Sequence, residues 1–285
     1  MADQVIRVDA LLPPEVARRA EEVGTTKAGL DVISVFTLAV LAGAFIGLGG
    51  IFSTTVAAGT ADLSYGVVRL LAGVSFCLGL ILVVVAGAEL FTGNALIVIA
   101  WASGKVSTVA LLRNWVVVYA GNLAGSIATA FLMLVTRQYT FGGGAVGQTA
   151  LNIANTKSGL DFWQALVLGM MCNALVCLAV WLTLGARTTT DKVLAILFPI
   201  SAFVAAGFEH SVANMYFIPI GLLIKQFDPA FVTKLGLDLP NLTLGGFLNN
   251  LIPVTIGNII GGAVMVAAVY WFVYLRKQGR AATGK

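Results

Sequence analysis

A group of polar side chains interrupts an apolar run that is otherwise long enough to cross a lipid bilayer. The run covers residues 193–224, and a single crossing needs only about 20 apolar residues. Its middle holds Glu209, His210, Ser211 and Asn214, and His210 is the only histidine in the chain. Because an ionisable group at membrane depth is costly and usually lines a pathway or cavity, this segment is predicted to be the functional centre. A structural Glu209–His210 pair that locks two helices together is the alternative.

The composition places the chain among integral membrane proteins. Hydrophobic residues make up 59% of the 285 residues and charged residues only 11%, whereas a soluble domain carries roughly 25% charged residues. The net charge of +4 is too small to suggest a nucleic-acid partner. Cys77, Cys172 and Cys177 lie in apolar runs without the spacing of metal ligands, and one histidine cannot complete a ligand set. Neither a metal nor a cofactor is therefore expected.

Six apolar segments are long enough to be transmembrane helices, so we predict an all-α fold. The segments are residues 32–58, 67–100, 109–136, 162–184, 193–224 and 248–275. The second and the fifth exceed the length of a simple crossing, and both carry polar residues near their middles. Such interruptions are tolerated only where the backbone is buried in protein or lines a cavity. The second and fifth helices are therefore predicted to be broken.

The segments at the two ends of the chain are predicted to lie in the cytoplasm. Residues 1–30 show no apolar stretch typical of a cleavable signal peptide, and they contain a short amphipathic helix that starts at Pro13 and stops at Gly24. Residues 31–275 form the six-helix membrane domain, and residues 276–285 form a tail. Most of the 17 lysines and arginines fall on the side of the termini, and the positive-inside rule assigns that side to the cytoplasm.

Two motifs recur in the same order and indicate an internal repeat. The pattern G-x-E-x4-N occupies residues 87–94 and 207–214, and the pattern N-x6-G-N-x2-G occupies residues 114–125 and 250–261. Inverted repeats with a broken helix in each half place the substrate site between the two breaks, near the membrane midplane.

The two copies cover roughly residues 31–136 and 160–275, with three spans in each. Because three is odd, the second copy must enter the membrane upside down. Several glycines in these copies are expected to allow close helix contact, as small residues do in membranes. They are Gly43, Gly47, Gly121, Gly125, Gly257 and Gly261.

The two breaks are predicted to form a site for a small anion. Half-helix N-termini carry partial positive charge and free N–H groups, yet the flanking side chains are apolar and hostile to a bare charge. These side chains are Phe76, Leu80, Leu90, Phe91, Val176 and Phe203. His210 offers a solution, because it can hydrogen-bond or protonate a weak-acid anion, which then crosses as the neutral acid. Thr92 in the opposite break is expected to hold the imidazole through its hydroxyl group.

The other polar residues have more structural interpretations. Glu89 and Glu209 are expected to accept backbone N–H bonds inside the broken segments, where freed backbone groups need partners. Five amides are expected to serve the same purpose, namely Asn94, Asn122, Asn173, Asn214 and Asn258. Lys27 and Lys157 are predicted to lie near opposite mouths, either to raise the local anion concentration or as ordinary solvated lysines.

Four stretches, taken in order, resemble the formate/nitrite transporter family over nearly the whole chain. They are residues 85–93 in the second span, 169–179 in the fourth, 207–215 in the fifth and 250–262 in the last. The last stretch is more similar to the formate branch than to the nitrite branch, as is Leu11-Leu12-Pro13. Gly93-Asn94 departs from the Ser or Thr that formate channels often carry after the loop threonine, which leaves nitrite open as a substrate.

The resemblance implies an aquaporin-like protomer, a homopentamer with one pore per subunit, and a bacterial-type inner membrane. It implies passive or proton-coupled movement of formate and similar monovalent anions such as nitrite, acetate and hydrosulfide. The family's central histidine falls on His210 and its loop threonine on Thr92. Its gating positions fall on Phe76, Leu80, Leu90, Phe91, Val176 and Phe203, and its polar positions on Lys27, Lys157, Asn173, Glu209, Asn214 and Asn258.

Four functions remain in competition at this point. A formate channel and a nitrite or hydrosulfide channel share the same fold. A membrane-embedded enzyme that uses Glu209 and His210 as acid and base is disfavoured, because the sequence supplies neither a nucleophile nor a metal set. A purely structural scaffold would carry no solute.

Overall fold

The computed structural model describes residues 11–60 and 62–276. This part of the chain forms helices and turns and no β-strand. Residues 1–10, 61 and 277–285 lie outside it, and with them all but the first residue of the predicted tail 276–285. Six helical segments are long and apolar enough to span a membrane, which confirms the all-α, six-span prediction. They are Val32–Ala57, Tyr65–Gly87, Thr108–Thr136, Phe162–Gly185, Thr189–Ala206 and Leu244–Tyr274.

The helices are numbered in chain order. They are α1 (Pro13–Gly29), α2 (Val32–Ala57), α3 (Tyr65–Leu82), α4 (Val98–Ala102), α5 (Thr108–Thr136), α6 (Ala145–Ser158), α7 (Phe162–Gly185), α8 (Thr189–Ala206), α9 (Ser211–Phe227), α10 (Pro229–Leu235), α11 (Leu244–Ile259) and α12 (Val269–Tyr274). Two π-helical segments extend α3 and join α11 to α12, namely Val83–Gly87 and Ile260–Ala268. Three 3₁₀ segments, Gly93–Ile97, Gln138–Thr140 and Gly142–Gly144, complete the helical elements.

Both predicted breaks are present, and each begins at a glycine. After α3 the chain passes Gly87, at φ +82°, runs unwound through residues 88–92, and then resumes as a 3₁₀ segment and α4. After α8 it passes Gly207, at φ +76°, and resumes at Ser211. This left-handed backbone conformation is open to glycine at no steric cost, whereas a side chain with a Cβ would be strained there. In each broken span a long helix is therefore followed, after a short unwound stretch, by a second helix.

The N-terminal helix is longer than predicted, because Gly24 does not end it. Helix α1 continues to Gly29, so the predicted stop at Gly24 is wrong. A Cβ at Gly24 would lie 3.3 Å from the Cβ of Ala100 and 3.3 Å from the Cα of Ile97. The glycine therefore provides close contact with the second half of the broken second span, rather than a C-cap.

Helix α6 is the counterpart of α1 in the second half. Both helices end in the pattern T-K-x-G-L-D, at residues 26–31 and 156–161. Helix α1 packs on the half-helix of the second span, and α6 packs on α9, the half-helix of the fifth. The final aspartate of each pattern caps the next span, because Asp31 accepts from Ser34 N at 2.9 Å and Asp161 accepts from Trp163 N at 2.9 Å. Hydrogen bonds from Ser34 also lower the pKa of the Asp31 carboxyl.

Glycines bring the spans into backbone contact, as predicted. A Cβ at Gly125 in α5 would collide with the Val40 carbonyl oxygen of α2, and one at Gly261 would collide with the Met170 carbonyl oxygen of α7. The two halves also meet closely, because a Cβ at Gly73 in α3 would lie 2.7 Å from the Ser201 carbonyl oxygen of α8. In a membrane such contacts supply the van der Waals packing that drives helix association.

Candidate functional site

Asn122 on α5 fixes the first break through three hydrogen bonds. Its Oδ1 accepts from Phe91 N at 2.9 Å, and its Nδ2 donates to the carbonyl oxygens of Ala39 at 2.8 Å and Glu89 at 2.9 Å. A primary amide is suited to this position, because it carries both an acceptor and two donors. The unwound backbone is thereby satisfied by a neighbouring span.

Asn258 on α11 fixes the second break in the same way. Its Oδ1 accepts from Ser211 N at 2.9 Å, and its Nδ2 donates to the carbonyl oxygens of Gly169 at 2.8 Å and Glu209 at 3.0 Å. Asn122 and Asn258 end the two copies of the G-N pair in the repeated motif. The expectation that amides satisfy the broken backbone is confirmed for these two residues.

The two buried glutamates have a different role from the one expected. Glu89 Oε1 accepts from Lys27 Nζ at 2.6 Å, and Glu89 Oε2 accepts from Asn94 Nδ2 at 2.6 Å. Asn94 Nδ2 also donates to Asn114 Oδ1 at 2.9 Å. The expectation that Glu89 accepts backbone N–H bonds is therefore wrong. Its partners are side chains, because Lys27 arrives from α1 and Asn94 from the far side of the break.

The second half repeats this network. Glu209 accepts from Lys157 Nζ at 2.7 Å and from Asn214 Nδ2 at 2.6 Å, and Asn214 Nδ2 also donates to Asn250 Oδ1 at 2.7 Å. The expected backbone bonds to Glu209 are likewise replaced by side-chain bonds. Asn114 and Asn250 were not predicted to belong to the site. Their signal was present, since each opens a copy of the repeated motif.

The two breaks meet at Thr92 and His210. Thr92 Oγ1 lies 3.0 Å from His210 Nε2, as expected from the sequence, and both residues are buried. His210 is also the N-cap of α9, because its Nδ1 accepts from Ala213 N at 3.0 Å. A nitrogen that accepts a hydrogen bond carries no proton, so the network assigns the proton of the neutral ring to Nε2, which donates to Thr92.

The segment around Thr92 is held from the second half of the chain. Asn173 Nδ2 donates to the Thr92 carbonyl oxygen at 3.1 Å and to the Asn258 carbonyl oxygen at 2.6 Å. Cys177 Sγ also donates to the Thr92 carbonyl oxygen, at 3.4 Å. Asn173 was predicted as a site residue, whereas Cys177 was not predicted to belong to the site. These contacts fix the position of Thr92 relative to α7.

Two cavities approach the Thr92–His210 pair from opposite ends. The first, named the α1-side vestibule, has a volume of about 370 Å³ and is lined by Lys27, Leu80, Leu90 and Lys192, among others. The second, named the α6-side vestibule, has a volume of about 530 Å³. Its lining includes Arg69, Phe76, Lys157, Phe203 and His210. Lys27 and Lys157 therefore lie at opposite mouths, as predicted.

Apolar side chains close the space between the vestibules. Leu80, Leu90, Val176, Phe76 and Phe203 are each no more than 3% exposed. The Phe203 ring stacks on the His210 ring with centroids 5.9 Å apart. Among the predicted gating residues, Phe91 and Val176 line neither vestibule, and the Phe91 ring packs edge-on against Tyr119, at 4.9 Å.

The described residues contain no group of three or more side chains that could hold a metal ion. The site offers hydrogen-bond donors in an apolar wall, at the meeting point of two cavities.

Comparisons with known proteins agree with this architecture. The family model described as "Formate/nitrite transporter" matches residues 14–272. The formate channel FocA of Escherichia coli K12 is 43% identical over 274 residues, which cover 94% of this chain and 96% of that protein. The probable formate transporter of Methanothermobacter thermautotrophicus is 38% identical, with 93% and 97% of the two chains covered.

The fold is likewise similar to solved structures. A structure titled "Pentameric formate channel with formate bound" superposes with a TM-score of 0.81 at 49% identity, covering 86% of this chain and 98% of that one. A second, titled "FNT family ion channel", gives a TM-score of 0.77 at 30% identity, covering 91% and 98%. On the extent of the family match and of these identities, the chain is a multi-pass membrane protein that belongs to the formate/nitrite transporter family.

Proposed function

We propose that this protein is a membrane channel for formate and related small monovalent anions, and not an enzyme. The observation that carries the proposal is the Thr92–His210 pair, a polar contact between the two breaks that lies between opposed vestibules. The relatives named as formate channels and transporters support the choice of substrate. The apolar residues Phe76, Leu80, Leu90, Phe91, Val176 and Phe203 are proposed to form the constrictions.

The pair is proposed to lower the cost of moving a carboxylate through an apolar wall. A desolvated anion is strongly disfavoured unless donors replace its water shell. Since His210 Nε2 donates to Thr92 Oγ1, the hydroxyl proton of Thr92 is left to donate elsewhere, and it has no acceptor among residues 11–60 and 62–276. A formate oxygen that reaches Thr92 would accept this proton in a hydrogen bond. The imidazole fixes the direction of the hydroxyl group.

Full protonation of the anion by His210 would require a different arrangement. An acidic imidazolium carries protons on both nitrogens, so Nδ1 would have to release its bond from Ala213 N. Protonation of the ring is thereby linked to loss of the cap of α9. The resting geometry favours a hydrogen-bonding histidine, and proton transfer becomes possible only when that cap opens.

Two substitutions at His210 separate these roles. His210→Asn keeps a cap acceptor for Ala213 N, because asparagine is among the best N-cap residues, and it keeps an N–H donor but cannot become a cation. His210→Phe removes both the cap acceptor and the N–H donor. Without the imidazole the Thr92 hydroxyl is no longer held in the direction in which it donates to formate. A hydrogen bond to a charged group contributes about 1.5–3 kcal/mol, so we expect formate flux in proteoliposomes to fall about 10- to 100-fold in His210→Phe. His210→Asn should retain most of the flux, with the pH profile of the unchanged protein.

Thermal melting of the purified variants is the control for folding. If His210→Asn is folded yet carries as little formate as His210→Phe, hydrogen bonding is not sufficient and the imidazolium is required. If both variants carry formate like the unchanged protein, the pair has no role in conduction.

A nitrite or hydrosulfide channel is the second candidate. The observation in its favour is Gly93, which follows Thr92 without a side chain; a Cβ there would meet only Val180, at 3.7 Å. Competition of nitrite and hydrosulfide with labelled formate in one liposome preparation distinguishes the two candidates. Inhibition of formate flux by nitrite well below the formate concentration would favour nitrite.

The assembly is proposed to be a homopentamer with a pore in each protomer, in the inner membrane of a bacterial-type cell. Support comes from the similar structure whose title names a pentamer. Both termini are proposed to be cytoplasmic, because most of the 17 lysines and arginines lie on their side. Native mass spectrometry should find five copies of the 29.7 kDa chain; a smaller particle would exclude this assembly.

A further inference from the structure

One lysine in each vestibule is neutralised by a neighbouring carboxylate. Lys27 Nζ lies 2.6 Å from Glu89 Oε1 and also donates to Asn94 Oδ1 at 3.1 Å. Lys157 Nζ lies 2.7 Å from Glu209 Oε1. An anion that approaches such a pair meets a dipole rather than a net charge, and the attraction falls off steeply with distance. The two lysines are therefore poorly placed to collect anions, even though they lie at the mouths.

Arg69 supplies the uncompensated charge of the α6-side vestibule. It projects from α3 and is half-buried in the vestibule wall. Its Nε donates to the Ala205 carbonyl oxygen at 3.2 Å, and its Nη2 donates to the Val204 carbonyl oxygen. Carbonyl groups are neutral, and no carboxylate pairs with Arg69 among residues 11–60 and 62–276. The positive charge of the guanidinium is thus not neutralised by a neighbouring carboxylate, and its Nη1 has no hydrogen-bond partner in the same part of the chain.

Lys192 is the corresponding uncompensated cation of the α1-side vestibule. It projects from α8, and its Nζ makes neither a hydrogen bond nor an ion pair with any residue that the structure describes. The charged residues that line this vestibule are Lys27, Glu89 and Lys192. Because Lys27 and Glu89 cancel, the net positive charge of the lining resides on Lys192.

The two cations are not copies of each other in the repeat. When Gly87 is aligned with Gly207, Arg69 corresponds to Thr189 and Lys192 corresponds to Ala72. The paired lysines, by contrast, occupy matching positions in the T-K-x-G-L-D patterns. Each half therefore carries an unpaired cation at a position of its own, in addition to the lysine–glutamate pair that both halves share. A common ancestry of the two halves does not account for both cations.

We propose that Arg69 and Lys192 are the anion-recruiting residues of the two mouths, whereas Lys27 and Lys157 are structural. The proposal rests on the anion-channel function above. An unpaired cation at the mouth of a low-dielectric funnel concentrates anions there and raises their rate of entry. The effect is screened by salt, since the Debye length is about 8 Å at physiological ionic strength.

The test is the salt dependence of formate entry from each side of the membrane. Arg69→Gln and Lys192→Gln are measured in right-side-out and inside-out membrane vesicles at low and at high ionic strength. At low salt each variant should raise the half-saturating formate concentration about 3- to 10-fold for entry through its own vestibule. Entry through the opposite vestibule and the maximal flux should not change, and high salt should abolish the difference.

Three further variants provide controls. Arg69→Lys keeps the charge and should behave like the unchanged protein. Lys234→Gln on α10 and Arg18→Gln on α1 each remove an exposed cation, and neither of these two residues lines a vestibule. Both should leave entry unaffected.

Several results would overturn the proposal. If Arg69→Gln and Arg69→Lys lower the maximal flux equally at every ionic strength, Arg69 acts only by bracing the end of α8. If Lys157→Gln, folded by thermal melting, reproduces the salt-dependent effect of Arg69→Gln, the recruiting charge is misassigned. If the unchanged protein carries formate and Arg69→Gln and Lys192→Gln match it throughout, this inference fails alone. An unchanged protein that carries no formate removes the proposed function itself.

Discussion

Two asparagines stand in for the missing helical hydrogen bonds at the breaks. Asn122 and Asn258 each use one oxygen and one NH₂ group to reach three backbone groups on two different segments. Both side chains are fully buried. In hydrocarbon surroundings an unpaired backbone group costs several kcal/mol, so these amides are what permits an unwound segment at this depth.

Asn122→Ala should therefore be strongly destabilising. It leaves Phe91 N–H and two carbonyl oxygens without their partner, and a buried unsatisfied group costs about 1–3 kcal/mol. We expect a clear fall in the melting temperature of the purified protein in detergent. Asn249→Ala is the matched control, since Asn249 is exposed and makes one bond, to Leu160 O at 3.2 Å. Equal melting temperatures for the two variants would contradict the role of Asn122.

At the scale of single residues, the sequence predicted which residues belong to the site better than it predicted their hydrogen-bond partners. A lone histidine at membrane depth, opposite a threonine in the matching motif, was enough to predict the Thr92–His210 contact. The partners of Glu89 were not predictable from its neighbours in the chain. Lys27 lies on a separate helix and Asn94 lies beyond the unwound segment, so only the packing decides whether the carboxylate meets a side chain or the backbone.

At the level of helices, glycine contacts determine how closely the spans approach. Gly125→Ala would place a methyl group against the Val40 carbonyl oxygen and force α5 away from α2. Overpacking of this kind costs about 1–3 kcal/mol, so we expect a lower melting temperature and a lower yield of folded protein.

Gly66→Ala is the matched control for this prediction. Gly66 lies in α3, and a Cβ there would meet nothing within 4 Å. Alanine is favoured over glycine in a helix by about 1 kcal/mol, so stability should be unchanged or slightly higher. If Gly125→Ala is tolerated as well as Gly66→Ala, the α2–α5 crossing is looser than described.

The membrane-spanning helices were predictable, because a run of about 20 apolar residues has the length and composition that a bilayer crossing requires. Helix α6 was not predicted, since it is neither long nor strongly apolar. The signal that would have found it is the T-K-x-G-L-D pattern shared by residues 26–31 and 156–161. The end of α1 was misplaced for a related reason. A glycine that stops a helix and one that contacts another helix look alike in sequence.

For the whole molecule, the proposed orientation can be tested with introduced cysteines. The three native cysteines are buried, so they give little background with a membrane-impermeant maleimide. Ser64 and Thr190 are exposed at the starts of α3 and α8, on opposite faces of the proposed topology. Ser64→Cys should react in intact cells, and Thr190→Cys only after lysis. The reverse pattern would place both termini outside the cytoplasm.

The close contact of α3 with α8 at Gly73 and Ser201 limits how this protein can operate. Glycine contacts also pack α2 tightly against α5 and α7 against α11, so each half is rigid in itself, and the α3–α8 contact opposes a rocking movement of one half against the other. We therefore expect passage to depend on rotations of a few buried side chains such as Leu80 and Leu90, and not on a collective movement of the two halves. Such a rigid frame predicts throughput with a shallow temperature coefficient, the kinetic signature of a pore rather than of a carrier.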